Sequence, residues 1–128
     1  MSLLDTNVIS ELRRPHRTDP KVAAWADGES PMDMFISSIT ILELETGALL
    51  LQRRDIRQGR VIQQWIEDRV LPAFAERILV VDATVARRCA LFHVPDPRPY
   101  RDSLIAATAL VHGLIVVTRN RADLRRWP

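Results

Sequence analysis

Residues 102–118 read DSLIAATALVHGLIVVT, and their order decides the fold. Residues 102–112 suit a helix. Ala106, Ala107 and Ala109 are small enough to let it sit close to a sheet. Gly113 is a good helix terminator. Residues 114–118 (LIVVT) then form a β-branched strand. A helix that returns directly into a wholly apolar strand belongs to a parallel α/β unit.

The same alternation extends outward. Residues 2–5 (SLLD), 34–37 (MFIS) and 78–82 (ILVVD) are further short apolar runs. Between them lie helical stretches. Thr6 and Asn7 open one that runs to about Arg13, before Pro15. Asp19-Pro20 opens the next, which ends near Gly28. Ser37 or Ser38 caps a helix over 39–52, apolar almost all round and therefore expected to be mostly buried. A helix over 55–70 follows, with Pro72 as its stop, and the two form a hairpin. Asp82 caps a helix that reaches His93. Residues 121–126 begin a last short helix. Strands that do not alternate polar and apolar residues are covered on both faces. The expected fold is a three-layer α/β sandwich around a parallel sheet of four strands, in one domain over 1–128.

Bulk properties exclude several classes. With 128 residues, a mass of 14.6 kDa and 47% hydrophobic residues, the chain suits one globular core. No apolar run approaches the roughly 20 residues that span a bilayer. Asp5 and Glu11 interrupt any signal-like start, so a cytoplasmic protein is expected. The single cysteine, Cys89, reads as a small buried hydrophobe. His16, His93 and His112 lack ligand spacing and suit surfaces or helix ends. The net charge of +2 does not announce a nucleic-acid binder. Lys21 is the only lysine, and the other 17 basic residues are arginine. Arginine suits bidentate phosphate contacts, although a coding bias would enrich it equally.

Topology gathers four acids. Ligands bind at the carboxyl ends of parallel strands. Asp5 ends the first strand, and Glu43 lies in the turns after the second. Asp123 follows the fourth, and Asp102 opens the helix that leads back into it. Each has a plainer reading. Asp5 and Asp102 serve as helix caps, and Asp123 is a surface acid in RNRAD. Glu43 shares an apolar stripe with Ile39, Leu42, Thr46 and Leu50, where an unpartnered carboxylate is costly. Glu45 is its main competitor. Together the four repel one another unless a hard cation, Mg²⁺ or Mn²⁺, joins them.

Four segments now stand in order: LLDTNVISELRRP, SSITILELETG, RDSLIAATAL and VVTRNRADL. They resemble the PIN-domain toxins of the VapC/FitB type over nearly the whole chain. The resemblance implies a metal-dependent endoribonuclease that takes Mg²⁺, or Mn²⁺, at Asp5, Glu43, Asp102 and Asp123. Thr6, Asn7, Thr118 and Asn120 would support the acids. Arg101, Arg119 and Arg121 would meet phosphate or RNA. It also implies a homodimer, silenced by a small DNA-binding antitoxin. The excess apolar surface of Leu49, Leu50 and Leu51 would form part of the antitoxin groove. One departure stands out. Family members continue past the fourth acid into another short strand, whereas this sequence ends at Trp127-Pro128. Either the fifth strand is missing or the ending is truncated or altered, and an open sheet edge would then be exposed.

Two alternatives remain. A receiver-like domain would use Asp82 as phosphoacceptor, but the only lysine, Lys21, is misplaced for it. A catalytically silent PIN-like subunit would act only within an antitoxin or nucleic-acid complex. No base-reading motif names an RNA target.

Overall fold

The computed structural model describes residues 1–13 and 20–118. Its elements are β1 (Ser2–Leu4), α1 (Thr6–Leu12), α2 (Pro20–Gly28), β2 (Met34–Ser37), α3 (Ser38–Arg54) and α4 (Ile56–Trp65). A π-helical turn at Ile66–Val70 leads into α5 (Leu71–Ala73). Then come β3 (Ile78–Leu79), α6 (Ala83–Phe92), α7 (Tyr100–His112) and β4 (Ile115–Val117). All strand pairs are parallel, in the order β3-β2-β1-β4.

Adjacent residues of β1 show why there are three layers. Side chains alternate across a strand. Leu4 joins a core with Val8, Ile9, Val22, Leu44, Ile66 and Val70, from α1 to the π turn. Leu3 joins Ile105 and Ala109 of α7 on the other face. Behind α7, Ala106 and Ala107 pack with Val85, Cys89 and Phe92 of α6. The alanines let these layers approach closely, as the sequence suggests.

Local chemistry sets the ends. Gly113 adopts φ 68°, the left-handed conformation that glycine tolerates, and closes α7. Leu114 N–H then donates to Ala109 O at 2.8 Å, so β4 starts at once. Ser37 caps α3 by accepting Ile39 N–H at 3.0 Å. Ser38 instead accepts Val81 N–H at 3.3 Å and ties down the exit of β3. Asp82 caps α6 through Val85 N–H at 2.9 Å.

Four expectations change. The helix after Asp55 does not stop at Pro72; it widens into the π turn and continues to Ala73. Proline is tolerated there because it sits in the first turn of the new helical segment. Helix α3, expected to be mostly buried, buries only Thr40, Leu44 and Ala48, because one stripe faces the core. Leu42, Leu49 and Leu50 stay exposed. The third strand pairs only over Ile78–Leu79. Finally, α7 starts two residues before Asp102, with Pro99 as its N-cap residue. The expected helix at 121–126, Pro15 and Asp19 lie outside the described residues.

The α3–α4 hairpin turns on Asp55, which ends one helix and caps the next by accepting Gln58 N–H at 3.1 Å. The two backbones nearly touch. A Cβ on Gly59 would stand 2.5 Å from Gln52 N and 2.7 Å from its Cα. Gly47, within α3, has open space instead. Gly59→Ala should therefore lower stability by about 1–3 kcal/mol through overpacking. Gly47→Ala should raise it by about 0.5–1 kcal/mol through helix propensity. Urea midpoints of the two variants test this, and equal midpoints would contradict the close approach.

Candidate active site

The carboxyl edge of β1 and β4 is organised by Asp5. Its N–H donates to Val117 O at 2.9 Å, which carries the β1–β4 pairing one residue further. Its carboxylate Oδ1 caps α1 by accepting Thr6 N–H at 2.7 Å. Its Oδ2 accepts the Thr118 hydroxyl at 2.9 Å. The capping reading of Asp5 is thus correct, yet it leaves the carboxylate half-buried at the strand ends.

Glu43 joins the same edge from α3. Thr6 Oγ1 donates to its Oε1 at 2.9 Å, and Arg101 Nη1 lies 3.4 Å from its Oε2. The Glu43 side chain is 20% exposed and that of Arg101 is 72% exposed. Glu45 faces away and accepts Gln63 Nε2–H from α4 at 2.6 Å, so it is not a rival for the edge. Thr40 Oγ1, fully buried, stands 3.4 Å from Thr6 Oγ1. The sequence reading did not single out Thr40. Its signal was the spacing, since residues three apart on a helix share a face with Glu43.

Asp102 lies exposed in the first turn of α7, beside Arg101. Its plainer reading as an N-cap does not hold, because the helix begins at Tyr100. Asn7 is exposed on α1. Asp123, Asn120, Arg119 and Arg121 lie outside the described residues. Among the described residues, no three His, Cys, Asp or Glu side chains gather as a metal cluster. The structure brings together Asp5, Thr6, Glu43, Arg101 and Thr118, with Asp102 one residue from Arg101.

The donor set suits a hard cation. Every candidate ligand at this edge is oxygen. A carboxylate has about four acceptor positions. Asp5 uses one for Thr6 N–H and one for Thr118, and Glu43 uses one for Thr6 and one for Arg101. Mg²⁺ is commonly held by one or two carboxylates plus water, which such a pair supplies. A groove of about 400 Å³ adjoins Glu43, lined by Thr6, Ser10, Arg13, Ile62 and Trp65 among others.

The sequence pattern of the PIN domain matches residues 2–127. The chain belongs to the PIN-domain family. It is similar to toxin FitB of Neisseria gonorrhoeae, at 40% identity over 94% of this chain and 88% of that protein. It is also similar to VapC ribonuclease Y4jK of Sinorhizobium fredii, at 38% identity over 94% of this chain and 87% of that one. Its fold matches the solved structure of FitAcB from Neisseria gonorrhoeae, with a TM-score of 0.86 and 37% identity over 98% of this chain and 92% of that chain. The structure of FitAB bound to a DNA fragment matches with a TM-score of 0.85 and 36% identity, over 98% and 90%. The four-stranded parallel sheet flanked by helices is thus the PIN fold. Among the described residues, no helix of this PIN domain is long and apolar enough to cross a membrane.

Thr6 is the joint between the two carboxylates, its backbone N–H on Asp5 and its hydroxyl on Glu43. Thr6→Val should lower stability by about 1 kcal/mol, because it strips a donor from a mostly buried carboxylate. Thr6→Ser should recover most of it. Arg101→Gln should change stability by less than about 0.5 kcal/mol, since the guanidinium is largely in water. Thermal denaturation of the three variants checks the ranking.

Proposed function

We propose that this PIN-domain protein is the endoribonuclease toxin of a type II toxin–antitoxin module, working in the cytoplasm. The observation that carries the reading is the carboxylate pair of Asp5 and Glu43. Thr6 links it at the strand ends, through its backbone N–H to Asp5 and its hydroxyl to Glu43, with Arg101 alongside. Asp5, Glu43, Asp102 and Asp123 would hold Mg²⁺ or Mn²⁺. When bound, such an ion supplies charge stabilisation for a scissile phosphate and an activated water.

The chain's own residues do the arranging. Thr118 and the Thr6 N–H hold Asp5 at the edge, so both its oxygens keep capacity for a further partner. The Thr6 hydroxyl turns Glu43 toward the same place. Arg101 is exposed enough to exchange the carboxylate for a phosphate oxygen, a task that its planar fork suits. Arg119, Arg121, Asn7 and Asn120 complete the set that the resemblance implies. Similarity to FitB and to a VapC ribonuclease supports RNA as substrate and a small DNA-binding antitoxin as partner. Exposed Leu49 and Leu50 on α3 offer the antitoxin an apolar face, with Leu51 half-buried beside them. A homodimer is the expected toxin unit.

The test is cleavage of a mixed cellular RNA pool with Mg²⁺, with Mn²⁺ and with EDTA. Cutting should need the metal and fall on the order of a hundredfold or more in Asp5→Asn and Glu43→Gln, past the range of outer-shell changes. Equal cutting by the variants would sink the site. No cutting under any metal would leave a catalytically silent subunit of an antitoxin complex. Leu49→Gln with Leu50→Gln should weaken capture of the co-expressed antitoxin; unchanged capture would remove that face from the interface.

A further inference from the structure

Residues 93–99 join α6 to α7, and one side chain organises the connection. His93 follows α6 as its C-cap residue. Its Nδ1 lies 3.2 Å from the backbone nitrogen of Arg98. That nitrogen carries a hydrogen and can only donate, so Nδ1 must be the bare, accepting nitrogen. The proton of the neutral ring then sits on Nε2, which is 3.0 Å from Ser103 Oγ. Nε2–H donates to Ser103. The Ser103 hydroxyl donates onward to Pro99 O at 2.9 Å, with Tyr100 O at 3.0 Å as the second acceptor nearby. Cys89 Sγ is 3.7 Å from Nε2, and the Tyr100 ring stands 5.0 Å from the imidazole.

This network replaces something α7 lacks. Its N-cap residue is Pro99, which makes no side-chain capping bond. The first turn is held instead by Ser103, fully buried, which His93 grips from below while also gripping Arg98 just ahead of the helix. Between these two anchors lie Arg101, which reaches Glu43, and Asp102. The direction in which both leave the helix depends on the seating of that turn.

We propose that His93, as the neutral Nε2–H tautomer, is a positioning residue for the acidic site: it seats the first turn of α7, from which Arg101 reaches Glu43 and on which Asp102 stands beside it. It touches neither substrate nor metal, and it rests on the nuclease reading above. Long-range proton–nitrogen NMR of the ¹⁵N-labelled protein at mildly alkaline pH reads the tautomer directly. Nδ1 should resonate as an unprotonated nitrogen and Nε2 as a protonated one. His93→Ala should keep its helix content by circular dichroism, yet exchange the Arg98 amide faster. It should also bind Mn²⁺ about tenfold more weakly, with cleavage falling in step, as for the loss of an outer-shell support. His93→Asn, whose Oδ1 can stand in for Nδ1, should recover part of the loss.

A protonated Nδ1 would overturn the proposal. So would Mn²⁺ affinity in His93→Ala equal to that of the unaltered protein, or an Asn variant no better than Ala. If the unaltered protein fails to cut RNA, the nuclease reading falls. The tautomer, the Arg98 exchange rate and the Mn²⁺ affinity then still decide the role of His93 independently.

Discussion

The carboxylate of Asp5 accepts one hydrogen from the α1 backbone and another from Thr118 beyond β4, while its own N–H is held by Val117. One residue therefore couples the end of β1, the start of α1 and the end of β4. Much of the remaining structure can be read as what keeps that coupling in register. The β1–β4 pairing aligns Leu4 with Val117, which sets Asp5 beside Thr118. Gly113 and the alanines of α7 bring β4 close enough to pair. Leu3 and Leu4 anchor β1 from both faces.

The second carboxylate comes from a helix that the sheet orders less directly. Glu43 shares its helix with a buried stripe, and burying its charge is expensive without partners. The structure answers with a hydroxyl on one oxygen and an exposed guanidinium on the other. Neither partner fills the acceptor capacity of the carboxylate, and the guanidinium is mostly in water. The arrangement is therefore stable enough to be kept yet open to exchange. A buried, fully satisfied ion pair would hold the acid but leave it nothing to offer.

The fold was largely legible in the sequence, because all four strands are apolar runs set off by caps and stops of familiar chemistry. Ser37, Asp82 and Gly113 each do the job their residue type suggests. What escaped was set by distance rather than pattern. The close approach at Gly59 leaves no periodic trace, and α3 looks buried all round although only one stripe meets the core. Topology alone places Asp5 and Glu43 at one edge, and the structure brings both to Thr6, one on its N–H and the other on its hydroxyl. The start of α7 was less legible: Pro99, a poor capping residue, begins the helix two residues before Asp102, so the capping alternative for that acid falls away. Compensation by His93 from ten residues away, through Ser103, is a tertiary contact that no local rule reveals.

The π turn at Ile66–Val70 bears on how such a chain can change its length. A π turn carries one residue more than the helix around it needs. Ile66 and Val70 both remain buried, so the surplus is absorbed without losing core contacts. Elsewhere in the α3–α4 hairpin an added or lost residue would rotate all that follows by about 100°. It would also pull Gly59 off Gln52. Within the π turn a deletion would relax the backbone toward an ordinary helix. The slack thus lies where α4 hands over to α5. Relatives with shorter or longer hairpins could keep their acids in register by taking up the difference there.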